Sequence, residues 1–333
     1  MLPVAELHLH IEGTLEPELL VALAARNGVA LPTTDIAELR ARYRFGSLRE
    51  FLDLYYASMR VLRTGQDFYD LASAYLSRAV KAGVRRAEIF FDPQSHTGVG
   101  VPIEAVFDGL SAAIADARPY ISADLIVCFL RDLGPDAAMA ALDQALRFRD
   151  RFIGVGLDSA EVGYPPALFQ DVYARAAAQG LRLVAHAGEE GPPEYVSEAL
   201  DLLHAERIDH GVRSVEDSGL VARLRDERIP LTVCPLSNVA LKVVGAIGEH
   251  MLPSMLEAGL AVTVNSDDPA YFGGYVDDNM AALTETFGLP AAVLARLARN
   301  SFEACFAPAE DKRRWLAEVD AWESSGGSGA DGG

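Results

Sequence analysis

Long apolar runs are missing from this chain. No stretch approaches the roughly 18 to 20 residues needed to span a bilayer, and the opening MLPVAELHLHIEG carries no basic segment of the kind that begins a secretory leader. A cytoplasmic protein with no membrane partner is expected. Cysteine is scarce: Cys128, Cys234 and Cys305 are an odd number, widely spaced and without a CxxC pair. This argues against a disulfide framework and against a thiolate zinc knuckle, leaving three reduced core thiols. Positive charge is short as well, with 29 Lys plus Arg against 48 Asp plus Glu and a formal net charge of −19. Binding to a nucleic acid polymer draws on clustered Lys and Arg that release counterions, so no such partner is expected. A neutral base or nucleoside stays compatible with the charge.

Core-forming material is plentiful. Half the residues are hydrophobic and 23% are charged, the balance of a globular chain. The 333 residues suit one large α/β barrel, which commonly takes about 250. Eight short, apolar, β-rich runs recur: 4–10, 85–93, 124–131, 152–159, 181–188, 206–211, 230–235 and 260–268. Between them lie stretches such as DAAMAALDQALRF with apolar residues at helical spacing. Continuous apolar strands alternating with helices point to a parallel sheet covered on its outer face, and eight units are the count that closes a (β/α)8 TIM barrel. A doubly wound open sheet is the alternative. Residues 16–82 exceed what one crossover needs and predict a helical cap beside the barrel mouth, with further helices at the C-terminus. One domain over 1–323 is expected, followed by a flexible Gly/Ser-rich tail over 324–333.

In a parallel barrel the carboxyl ends of the strands open on one face, where active sites of this architecture lie. Those ends are loaded here with ligand-type side chains: His8 and His10 on the first strand, His186 and Glu189 after the fifth, Asp209 and His210 on the sixth, Asp267 and Asp268 after the eighth. His8 and His10 are two apart, so both imidazoles leave one face of the strand. With His186 as a third nitrogen and Asp267 as an oxygen they make a set suited to one divalent metal, zinc being the best match. A hydrogen-bonded polar network at the barrel mouth is the competing reading.

The blocks ELHLHIEGTLEPELL, VAHAGEEGPPEY, RIDHGVRSVED, VCPLSNVALK and VTVNSDDPAYFGGY, in that order over about residues 3 to 280, resemble the adenosine and adenine deaminase branch of the amidohydrolase superfamily. The resemblance implies a barrel with one catalytic zinc held by His8, His10, His186 and Asp267. It further implies that Glu189 donates a proton to purine N1, that His210 orients and deprotonates the attacking water, and that Asp268 hydrogen-bonds N7. Such chemistry asks for a carboxylic acid of raised pKa at N1, because C6 resists attack until the ring accepts a proton. The alternative for Asp268 is the N-cap of a helix beginning at Pro269.

Two departures bear on the substrate. Adenosine deaminases carry Asp two residues after the second histidine, where this chain has Glu12, whose longer side chain is expected to intrude on the sugar space. They carry Gly after the fourth strand, where this chain has Glu161, expected to accept a hydrogen bond from a ring N–H. Both favour the free base, and the wording FFDPQSHTG, GLDSAEVG and SDDPAYFGGY resembles the adenine-acting subgroup. The reading is therefore hydrolytic deamination of adenine in purine salvage, with adenosine or another 6-aminopurine as the enzymatic alternative and a catalytically silent purine-binding barrel as the non-enzymatic one. A binuclear amidohydrolase would need a bridging lysine at the end of strand four, and the only lysines are Lys81, Lys242 and Lys312. The paired H-x-E and P-C-x-x-C signature of base-flipping deaminases is absent. A homo-oligomer is compatible with the sequence.

Overall fold

The computed structural model describes residues 1–327. Eight strands, β1 (Val4–His10), β2 (Val84–Phe91), β3 (Ser122–Leu130), β4 (Gly154–Asp158), β5 (Arg182–Ala187), β6 (Arg207–His210), β7 (Pro230–Val233) and β8 (Ala261–Val264), pair in chain order and all in parallel. Each overlaps one of the runs marked in the sequence, with β2 and β3 starting one and two residues earlier. The ring closes just beyond β8, where Asp267 forms a parallel bridge with Leu9. Its carbonyl accepts from His10 N at 3.0 Å and its N–H donates to the His8 carbonyl at 3.1 Å. Below this seam Asn265 Oδ1 accepts from Leu7 N at 2.8 Å, a side chain completing the ladder. The arrangement is a (β/α)8 barrel, and the open doubly wound sheet is ruled out.

The long insertion after β1 folds as α1 (Pro17–Asn27), α2 (Ile36–Ala41), α3 (Leu48–Met59) and α4 (Gly65–Lys81). Thr64 and Asp67 form a reciprocal capping box at the start of α4. The buried Asp67 carboxylate also accepts from Arg26 and Asn27, tying α1 to α4. The crossovers follow as α5 (Pro93–Thr97) and α6 (Ile103–Ala117), α7 (Pro135–Ala145), α8 (Gln170–Ala178), α9 (Pro193–Asp201), α10 (Ser218–Asp226), α11 (Pro235–Ala240) and α12 (Leu252–Glu257). After β8 come α13 (Pro269–Phe272), α14 (Val276–Phe287), α15 (Ala291–Ala304) and α16 (Ala309–Ser324). Ser324, placed by the sequence in the flexible tail, is the last residue of α16, and 328–333 lie outside the described residues. Among the described residues no helix is long and apolar enough to cross a membrane.

Helix α3 packs on α13 through a cluster separate from the main core, in which Phe45, Phe51, Tyr55, Tyr271 and Phe272 are buried together. Their rings meet at centroid distances of 4.7 to 6.3 Å, the range of attractive aromatic pairs. This cluster sets α3 over the carboxyl ends of the strands. Deep in the barrel, Glu88 of β2 accepts from Arg207 of β6 at 2.6 Å, from Arg86 at 3.0 Å and from Phe306 N at 2.5 Å. Burial works against the Glu88 charge, but Arg207 and Arg86 outweigh it and hold the carboxyl below its usual range. Removing one partner of a buried pair strands the other charge in low dielectric. Glu88→Ala is therefore expected to lower the unfolding free energy by about 3–5 kcal/mol; a chemical-denaturation shift below about 1 kcal/mol would show that Arg207 and Arg86 do not depend on Glu88.

Candidate active site

At the mouth of the barrel four buried side chains point one atom each at a common centre: Nε2 of His8, His10 and His186, and a carboxylate oxygen of Asp267. His8 Nε2 lies 3.3 Å and His10 Nε2 3.6 Å from Asp267 Oδ1, and the His10 and His186 Nε2 atoms are 3.2 Å apart. Ligands about 2.0–2.1 Å from a tetrahedral ion stand about 3.4 Å from one another, which is the spacing found. Burial pushes His10 down to about 4 and His186 well below its ordinary value, so both present nitrogen lone pairs. Two such lone pairs aimed at each other repel unless a cation lies between them, so the residues fit a resident metal ion.

Outer partners fix the rings. Thr232 Oγ1 donates to Asp209 at 2.8 Å, and so accepts from His8 Nδ1 at 3.0 Å. That chain puts the His8 proton on Nδ1 and leaves Nε2 free for the metal. His10 Nδ1 faces Asp158 Oδ2 at 3.5 Å, and His186 Nδ1 faces Asp209 Oδ2 at 3.7 Å. The backbone bends to aim these groups: Ser159, His210 and Asp267, each following a strand or ending one, have φ of 69°, 64° and 64°. That left-handed region is costly for residues with a Cβ and recurs at functional sites.

The remaining residues singled out in the sequence gather beside the tetrad. His210 Nε2 lies 3.5 Å from Glu189 Oε2 and 3.8 Å from Asp267 Oδ2. Burial pushes His210 down to about 3, so the ring is neutral and able to accept a proton. Burial, then the charge of Asp267, raises Glu189 well above the usual carboxyl range. Glu190 is half-buried, as a neighbouring loop carboxylate should be. Asp268 is raised by the same two causes. Its side chain does not cap α13, and its Oδ1 is buried without a partner. A Cβ on Gly13 would stand 2.6 Å from Asp268 Cα, so glycine there is what lets the first loop close over this residue.

Together with His10, His186, Glu189, His210, Asp267 and Asp268, the pocket is lined by Leu48, Phe51, Leu52, Tyr55 and Tyr56 of α3, by Leu241, and by Asp92, Asp158 and Ser159. The last three were not foreseen as pocket residues. The signal was present, since Asp92 and Asp158 are the first polar residues at the ends of β2 and β4, the criterion that picked out His186 and Asp267.

Glu12 and Glu161 do not reach the pocket wall. Glu12 Oε1 accepts from Asp92 N at 3.2 Å and meets His96 Nε2 at 2.8 Å, with all these groups buried. It therefore does not stand in a sugar-binding space. Glu161 is turned under the loop after β5, where its two oxygens accept from the N–H groups of Gly188, Glu189, Glu190 and Gly191 at 2.6, 3.1, 2.9 and 2.7 Å. Four donors fill the carboxylate, so the expected contact with a ring N–H is replaced by a backbone clamp on the loop that carries Glu189. The fully buried Arg131 braces the same loop by donating to the His186 carbonyl at 2.8 Å. An unmet buried donor costs about 1–3 kcal/mol. Glu161→Ala is thus expected to lower stability by about 3 kcal/mol and to speed amide exchange over 188–191, with partial recovery in Glu161→Gln; unaltered exchange would show that the loop does not lean on this carboxylate.

Comparison with known proteins agrees with this geometry. The family model described as adenosine deaminase matches residues 3–322. A curated protein of Streptomyces coelicolor named adenine deaminase is 60% identical over 325 residues, covering 96% of each chain. One of the same name from Cupriavidus taiwanensis is 58% identical, covering 97% of this chain and 93% of its own. The crystal structure of an adenine deaminase from Arthrobacter aurescens superposes with a TM-score of 0.96 at 55% identity, covering 97% of this chain and all of its own. An amidohydrolase from Burkhoderia ambifaria, solved with bound zinc, gives 0.88 at 30% identity over 97% and 92%. With its barrel, its convergent histidines and this match over nearly the whole length, the chain belongs to the adenosine deaminase family.

Proposed function

We propose that the protein hydrolyses the 6-amino group of adenine, giving hypoxanthine and ammonia in purine salvage, with one zinc ion held by His8, His10, His186 and Asp267. The observation that carries this reading is the placement of a buried, proton-holding carboxyl, Glu189, beside a tetrad with tetrahedral spacing. The curated relatives at 58 to 60% identity, named adenine deaminase, support the choice of base. The pocket leaves only about 40 Å3 free, against the several hundred typical of ligand clefts, and a base without ribose makes the smallest demand on it.

Zinc in that tetrad would supply Lewis acidity that brings the pKa of water towards neutrality. In this reading the chain's own groups handle the protons. Neutral His210 accepts a proton from the attacking water. Glu189 gives its proton to N1, so that charge does not build on the ring as the oxygen bonds to C6. Asp268, holding a proton, donates to the lone pair of N7 and orients the base. The proton held on His210 then passes to the amino group, the C6–N bond breaks and ammonia leaves, and the proton of the new C6 hydroxyl returns to Glu189 as the carbonyl forms. A silent purine-binding barrel would lack a metal ligand or the acid, and none of His8, His10, His186, Asp267 or Glu189 is missing.

The zinc-loaded protein is expected to release ammonia from adenine with a kcat/KM at least about 100-fold above that for adenosine, a gap of roughly 2.7 kcal/mol. A higher value for adenosine would overturn the base assignment. Glu189→Gln should keep one zinc per chain by metal analysis and lose about 100-fold or more in kcat, the scale of a general acid. Near-full activity in that variant would remove Glu189 from the mechanism.

A further inference from the structure

With N1 facing Glu189 and N7 facing Asp268, the edge of adenine left over is the one that bears N3 and N9. The remaining acidic groups of the pocket lining are Asp92 and Asp158, each about 2% exposed. Asp158 has a partner in His10, 3.5 Å from its Oδ2. Asp92 has no such partner: no Lys, Arg or His forms an ion pair with it among the described residues. The Asp92 and Asp158 side chains meet each other. This contact leaves Oδ1 of both residues buried with no partner.

Asp92 also declines the structural use its position offers. It precedes Pro93 as the N-cap residue of α5, yet its side chain makes no capping hydrogen bond. Instead it is held from behind. Its N–H donates to Glu12, Glu12 is pinned by His96, and the His96 ring meets Phe68 edge-on at 4.8 Å. A fixed, water-excluded carboxyl oxygen without a donor is costly, and a ligand able to donate there would gain what the empty wall forgoes.

We propose that Asp92 is a specificity-determining residue whose Oδ1 accepts the ring N–H that a free purine base carries and a 9-substituted purine lacks. The inference rests on the deaminase reading for the orientation of the base. It gives Glu12 an indirect part in substrate choice: from outside the pocket it fixes the backbone of the residue that reads the base. A purine substituted at N9 offers this wall no proton and pushes its substituent against two carboxyl groups. Asp158, committed to His10, is a poorer discriminator, because changing it also disturbs a metal ligand.

The test pairs Asp92→Ala with Asp92→Asn, both zinc-loaded and checked for zinc content. For adenine, kcat/KM should fall about 10- to 100-fold in Asp92→Ala, the range of one strong hydrogen bond. For 9-methyladenine it should stay within about 3-fold of wild type or rise. Asp92→Asn keeps an acceptor oxygen and should retain most activity on adenine, which separates lost recognition from lost folding. Equal losses on both substrates, or none on adenine, would overturn the proposal. Calorimetric binding of purine and 9-methylpurine provides an arm that needs no deamination. Wild type should prefer purine by at least about 10-fold and Asp92→Ala should not. Absence of that preference in wild type, or its persistence in Asp92→Ala, counts against Asp92. A preference that follows Asp92 in a protein inactive on adenine would leave this inference standing while the deaminase reading fell.

Discussion

Three imidazole nitrogens and a carboxylate oxygen brought to within ligand spacing in a buried pocket form the constraint around which the barrel mouth is organised. Left to themselves these lone pairs repel, and each ring must be held against that repulsion from its far side. Thr232, Asp158 and Asp209 do this, and they come from three different strands or strand ends. The left-handed backbone at His210 and Asp267 belongs to the same account. A strand that simply continued would carry these side chains past the centre, and the turn aims them inward at some conformational cost.

The pocket region is acidic to a degree that would be untenable in a uniform interior, and the chain neutralises its carboxyls one by one by different means. Glu161 is wrapped in backbone amides. Glu12 is paired with His96, and Glu88, deeper in the barrel, with two arginines. Burial works against the Asp267 charge, but His8, 3.3 Å away, outweighs it and holds the carboxyl well below its usual range. Glu189, Asp268 and Asp92 receive less of this help, and burial beside other carboxylates raises all three well above the usual range. Carboxyl groups of one chemical type thus divide into those whose oxygens are spent on structural partners and those left available to a ligand, and the division follows from what each one touches.

The barrel was legible in the sequence because its strands are short, apolar and regularly spaced, so periodicity alone marked all eight. The tetrad was legible for a related reason: ligand-type residues at strand ends must converge once the ring closes. What spacing could not give was the direction in which a loop carboxylate turns. Glu12 and Glu161 each lie near the strand ends in sequence, and their departure from family wording made them look like substrate contacts. Only three-dimensional packing shows that one leans back on His96 and the other folds under the β5 loop. Asp92 and Asp158 were passed over for the opposite reason, since a single Asp closing an apolar strand reads as ordinary turn chemistry.

The seam of the barrel and the metal tetrad share residues. Asp267 exchanges backbone hydrogen bonds with His8 and His10 while its side chain faces theirs. The first and last parts of the ring, far apart along the chain, are thereby joined at the point where the tetrad converges. Along the chain the fourth residue of the tetrad and the closing ladder come together, after the other seven strands. A barrel without the segment after β8 lacks both the closing ladder and the carboxylate of the tetrad, so ring closure and completion of the tetrad depend on the same residue.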